Sequence, residues 1–177
     1  MDTRHLVDRE IAPIIDLFPR VDLDSAPIAR IRAKAAETYS ILPPPVIAPE
    51  KLVVPSIHGG PDVMVFLYRP AEMRAGGGAI LHIHGGGMVM GSVEQMQAGP
   101  AALAAAAGVP VASVEYRLAP ENPFPAPQED CHSALSWLAA QADAFGFDAS
   151  RIVVAGESAG GGLAAALAIM ARDLGGP

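Results

Sequence analysis

The sequence predicts an α/β fold, a mixed and mostly parallel sheet wound in strand–helix–strand units. Three observations carry this. From residue 79 onward, short Val- and Ile-rich runs alternate with helical segments. Those runs show little apolar–polar alternation, as expected of strands buried on both faces. Two further strand-like runs precede them, separated by a Gly-Pro turn, so the sheet begins with an antiparallel pair.

Taken in order, residues 1–40 read as two helical segments. Ile11, Ile14, Ile15 and Phe18 recur at helical spacing in the first. Ala26–Tyr39 is the second, with Pro27 near its start. Ile41–Pro49 contains Pro43-Pro44-Pro45 and is a stiff extended linker. Lys51–Ile57 and Asp62–Tyr68 are the antiparallel strands, joined by His58-Gly59-Gly60-Pro61. Gly76-Gly77-Gly78 is a turn, and Ala79–His84 a strand that runs into glycines. Met96–Ala107 is a helix stopped by Gly108. Val109–Tyr116 is a buried strand and Pro120–Pro127 a proline-rich loop. Gln128–Phe145 is a helix with Leu135, Trp137 and Leu138 on its apolar side. Arg151–Gly156 is a strand and Ala159–Asp173 a helix.

Composition narrows the function. The 177 residues are 51% apolar with a mean hydropathy of +0.31, which suits a substantial core and argues against disorder. A net charge of −7 argues against nucleic acid or an anionic membrane as partner. Cys131 is alone and cannot form an internal disulfide. The N-terminus has no signal-peptide pattern, and no apolar run is long enough to span a bilayer. A cytoplasmic location is the expectation.

Two glycine-rich strings carry chemistry. Gly156-Glu157-Ser158-Ala159-Gly160 has the G-x-S-x-G form of a nucleophile elbow, placed between a strand and a helix as that motif requires. Flanking glycines make room for the tight turn, and the helix after it aims N–H groups at the reacting centre. His84-Gly85-Gly86-Gly87 has the form of an oxyanion loop. The N–H groups of Gly86, Gly87 and Ala159 are the expected oxyanion donors for the nucleophile Ser158. Gly85, Met88 and Glu157 are expected around the substrate pocket. A rival pattern, Gly160-Gly161-Gly162-Leu163-Ala164-Ala165, matches a dinucleotide fingerprint but falls within the helix rather than in the turn before it.

Three strings resemble the hormone-sensitive-lipase family of carboxylesterases, the bacterial family IV type. They are His82-Ile83-His84-Gly85-Gly86-Gly87 with Gly91-Ser92, Tyr116-Arg117-Leu118-Ala119-Pro120-Glu121-Asn122-Pro123-Phe124-Pro125-Ala126, and Gly156-Glu157-Ser158-Ala159-Gly160-Gly161. The resemblance implies an α/β-hydrolase fold with N-terminal cap helices, hydrolysis of short-acyl esters, and no metal or organic cofactor. It divides the chain into a helical cap segment, residues 1–45, and the N-terminal part of a catalytic domain, residues 46–177. Glu157 stands where the family more often has Asp, and Met88 where an aromatic is common.

In this fold the triad order is Ser, then Asp or Glu, then His. The nineteen residues after Ser158 contain Asp173 and no histidine. The acid and base, and further strands, are therefore expected from sequence beyond residue 177, with Arg151–Gly156 left as an apolar edge. None of the histidines present is expected to replace the base. His5 lies near the terminus, His58 in a turn, His82 inside a strand, and His84 in a structural role. Asp130 and His132 look dyad-like, but at i, i+2 on a helix their side chains diverge. Tyr116, Arg117 and Glu121 read as architectural, with Arg117 also a candidate for an interface. The expected partners are a small ester, the segment carrying the acid and base, and a second copy in a homo-dimer. An alternative is a catalytically incomplete hydrolase remnant, acting as a binding or chain-association module.

Overall fold

The computed structural model describes residues 4–15 and 27–177. By contacts the chain divides into residues 1–41 and 42–177. In the first unit a 3-10 turn, Arg4–Leu6, precedes α1, Ala12–Ile15, and α2, Ile28–Tyr39. Pro27 starts α2 with φ −56°, a value its ring already imposes. Phe18 and Ala26, assigned to helices from sequence, lie outside the described residues.

The second unit is built on a five-stranded sheet. Its strands are β1 (Glu50–Val54), β2 (Val63–Tyr68), β3 (Ala79–Ile83), β4 (Val111–Glu115) and β5 (Ile152–Gly156), in the order β1-β2-β4-β3-β5. β1 with β2 and β2 with β4 are antiparallel, whereas β4, β3 and β5 are parallel. The helices are α3 (Ala98–Ala107), α4 (Ala126–Ala140), α5 (Ala142–Phe145) and α6 (Ala159–Leu174). Gly108 ends α3 in the left-handed region at φ 65°, where glycine has no Cβ penalty.

Strand alternation splits the core between the two faces of the sheet. Val65, Leu67, Leu81, Ile83, Ala112 and Val114 face one cluster with Leu135, Leu138, Leu163 and Leu167 from α4 and α6. Phe66, Tyr68 and Val111 face the other, with Ala101 and Ala104 of α3. The alanines of α3 let that helix lie close to the sheet.

Two expectations change. The helix expected over Gln128–Phe145 starts at Ala126 and breaks at Gln141, after which α5 runs to Gly146 at φ 75°. The break brings Ala142 and Phe147 into the core. Burial on both faces holds for β3 and β4 but not for β5, where Val153 is 56% exposed. Among the described residues β5 has a neighbouring strand on one side only, so its outer flank lacks cover from them.

Candidate functional site

β3 and β5 lie side by side in parallel register, with Ile83 opposite Gly156. Their C-terminal ends therefore deliver the two glycine strings to one place. Ser158 stands at the corner between β5 and α6 with φ 52° and ψ −117°. Among the described residues, only Ser158 and Met88 (φ 63°) are non-glycine residues with positive φ. Such strain costs of order 1–3 kcal/mol and gathers at functional sites. Here Ser158 lies within one string and Met88 directly follows the other. Ser158 is exposed.

Glycine is required where the elbow meets the sheet. A Cβ on Gly160 would stand 2.6 Å from the His84 carbonyl oxygen and would collide with that of Ile83. A Cβ on Gly156 would meet Gly160 at 2.5 Å. The loop after β3 closes against the same corner. A Cβ on Gly85 would lie 3.1 Å from the Glu157 carbonyl oxygen and 3.5 Å from Ser158 Cβ.

The loop is held from below. The His84 ring is fully buried and donates Nδ1–H to the Gly85 carbonyl at 2.7 Å. It stacks on Tyr116 with centroids 4.2 Å apart, and the Tyr116 hydroxyl donates to the His84 carbonyl at 3.0 Å. Burial pushes the His84 pKa down, only partly offset by its bond to Gly85, which favours the neutral ring. Ala119 N–H donates to the Met88 carbonyl at 2.9 Å. The string from Tyr116 to Ala119 is thus the scaffold of the glycine loop. Val89 and Met90 N–H groups donate to the Gly86 carbonyl, while those of Gly86, Gly87 and Ala159 donate to no acceptor among the described residues.

Glu157 has a partner that sequence reasoning missed. His82 Nε2 donates to both of its carboxylate oxygens at 3.0 Å. His82 Nδ1 lies 2.7 Å from the Ser113 hydroxyl. The bond from His82 holds the Glu157 carboxyl below the usual range. A signal was present, because a histidine inside an otherwise apolar buried strand needs a hydrogen-bond partner.

The remaining candidates lie elsewhere. Asp130 binds Arg117, and His132 Nδ1 meets His58 Nε2 at 2.8 Å, so Asp130 and His132 do diverge. Arg117, a candidate for an interface, is engaged inside the unit. Cys131 is buried, and burial pushes its thiol pKa up. Among the described residues, no group of three or more His, Cys, Asp or Glu is placed to hold a metal ion. No described helix is long and apolar enough to cross a membrane.

The known proteins that this chain resembles share this architecture. A family model described as alpha/beta hydrolase fold matches residues 80–177. Carboxylesterase NlhH of Mycobacterium tuberculosis is 37% identical over 173 residues, 97% of this chain and 54% of that protein. Hormone-sensitive lipase of Mus musculus is 36% identical over 107 residues, 60% of this chain and 14% of that protein. A solved structure titled as a bacterial heroin esterase superposes with a TM-score of 0.86 at 37% identity, covering 98% of this chain and 56% of its own. The chain spans about half the length of the curated esterases NlhH and LipI that it matches along nearly its whole length. On these grounds the chain belongs to the alpha/beta hydrolase fold family, and its relatives include carboxylesterases and hormone-sensitive lipase.

Proposed function

We propose that this chain is the nucleophile-bearing part of a serine carboxylesterase acting on short-acyl esters. The observation that carries the reading is the corner itself, where Ser158 at φ 52° stands against the backbone of Gly85. In this reading residues 46–177 are the N-terminal part of the catalytic domain, and residues 1–45 the helical cap segment.

Ser158 Oγ attacks the ester carbonyl carbon and passes its proton to a histidine supplied by sequence beyond residue 177, which an acid from the same segment orients. The carbonyl oxygen becomes an oxyanion, bound by the N–H groups of Gly86, Gly87 and Ala159. Among the described residues these N–H groups have no acceptor, which supports that role. Collapse of the intermediate releases the alcohol, which takes the proton from the histidine. Water then cleaves the acyl–Ser158 ester by the same route. Gly85, Met88 and Glu157 border the pocket, with Met88 supplying a flexible wall.

The segment carrying the acid and base docks along β5. A groove of about 950 Å³ flanks that strand, lined by Ile152, Val154, Ala164, Ala168 and Ala171. The same open edge supports a second reading, an incomplete hydrolase that associates with another chain without catalysis.

The test is hydrolysis of a short-chain aryl ester by the 177-residue chain with and without the segment, together with fluorophosphonate labelling. Removing the base from such a triad costs on the order of 10⁶-fold in turnover, so the isolated chain should be nearly inert. Labelling of Ser158 in the assembled protein supports the esterase reading, and its failure supports the second. Equal, high activity of the isolated chain overturns the need for the missing segment.

A further inference from the structure

We infer that His82 is a positioning residue for ester hydrolysis, tying Glu157, which adjoins the nucleophile, to the strand that leads into the glycine loop. This inference rests on the reading of Ser158 as nucleophile. The link is a line of three polar side chains across three neighbouring strands. Ser113 on β4 is the register partner of His82 on β3, and Ala155 on β5 is its partner on the other side. Glu157 follows two residues beyond Ala155 and reaches back to the ring.

The chemistry sets the direction of each bond. A carboxylate only accepts, so His82 Nε2 carries a proton and donates to Glu157. In the neutral ring Nδ1 then accepts from the Ser113 hydroxyl, and in the protonated ring it donates to that oxygen. Ser113 serves in either direction, so the line holds in both protonation states.

A purely structural role explains half of this line. His82 is 3% exposed and Ser113 fully buried, and two such groups need each other. Burial of His82 calls for an acceptor at Nε2 but not for that acceptor to be Glu157, whose 66% exposed side chain water would solvate without His82. The bond to His82 fixes a side chain that burial does not oblige to be fixed. That side chain belongs to the residue before Ser158, whose backbone is itself unfavourable and must be held by its surroundings. His82 is two residues before His84, where the oxyanion loop begins. The bond therefore sets the nucleophile and its oxyanion donors relative to one another, and a shift of about 1 Å between such groups costs roughly a hundredfold in rate.

The test uses the assembled enzyme, this chain together with the segment supplying acid and base. Functional serines are counted by fluorophosphonate titration, and kcat is expressed per titrated serine. His82→Asn keeps a group facing Ser113 and loses Glu157, whereas His82→Gln keeps a donor near the Nε2 position. Glu157→Ala changes an exposed residue, and the serine titration separates any loss of folded protein from a loss of rate. The expected result is a fall in kcat of roughly ten- to a hundredfold in His82→Asn and Glu157→Ala, with KM within about twofold and substantial recovery in His82→Gln. The double variant His82→Asn/Glu157→Ala should be no worse than either single one. Fewer titratable serines with unchanged kcat per serine would overturn the inference, as would independent, multiplying effects. An inactive unaltered enzyme, or full activity in Ser158→Ala, overturns the site reading and this inference with it. An active unaltered enzyme, an inactive Ser158→Ala and normal kcat in Glu157→Ala overturn this inference alone.

Discussion

Arg117 holds Asp130 through its backbone and its side chain at once. The Arg117 N–H donates to Asp130 Oδ2 at 2.8 Å, Nε reaches both carboxylate oxygens within 3.0 Å, and a terminal nitrogen reaches Oδ1 at 2.7 Å. Asp130 is 1% exposed, so the pair joins α4 to the chain just after β4 from inside the protein. Breaking a buried pair leaves the surviving partner uncompensated. Asp130→Ala should destabilise the protein by about 3 kcal/mol, and Asp130→Asn by less, because the amide oxygen still accepts. An unchanged denaturant midpoint in Asp130→Ala would contradict this.

Two glycines in the first turn of α6 should respond in opposite ways. Gly160 has no room for a Cβ because the Ile83 and His84 carbonyls press against it. Gly162 faces open space with an ordinary helical backbone. Gly160→Ala should displace α6 and lower stability by several kcal/mol, in line with overpacking of a tight site. Gly162→Ala should raise stability by about 0.5–1 kcal/mol through helix propensity and unfolded-state entropy. Thermal unfolding of the two variants side by side checks the sign of each.

Ser158 occupies backbone space that glycine enters freely. Ser158→Gly should therefore raise the thermal midpoint, with a gain on the order of 1 kcal/mol, while abolishing fluorophosphonate labelling. A lower midpoint would mean that the corner is not strained.

Acid should weaken the fold through its buried histidines. Burial lowers the pKa of His84 and His132 from their ordinary 6.5, with the neighbouring His58 adding to the effect at His132. Below pH 6.5 the unfolded chain takes up protons at these positions more readily than the folded one. Stability from the neutral rings is thus full above that value and lost as pH falls toward the lower folded ones. The urea midpoint should drop from neutral pH to pH 5.5, and less steeply in His84→Asn. Equal slopes would rule out His84 as a contributor.

The open edge of β5 should favour self-association of the 177-residue chain. Val153 is 56% exposed on β5, which among the described residues has no neighbouring strand on its outer side. A charge on such a strand discourages pairing with another chain. Val153→Lys should reduce concentration-dependent association of the 177-residue chain in sedimentation velocity, and no change would locate the contact elsewhere.

The amino-acid sequence alone determined the elements and the corner. Ala79–Ile83 running into His84-Gly85-Gly86-Gly87, and Ile152–Gly156 running through Ser158 into α6, are patterns contained within about twenty residues. Strand composition, helix stops at glycine and the space a tight turn demands are local physics, so they are readable locally. The break at Gln141 was not readable, because the helical pattern continues across it and core packing beyond it selects the bend.

Only the tertiary structure decided which polar groups meet. Glu157 and His82 are 75 positions apart, and His58 and His132 are 74 apart. Asp130 turned to Arg117 rather than to His132, its neighbour in sequence. Sheet order and register set those partners. A buried imidazole or carboxylate takes whichever donor or acceptor the neighbouring strand or helix brings within about 3 Å, and spacing along the chain carries no record of that.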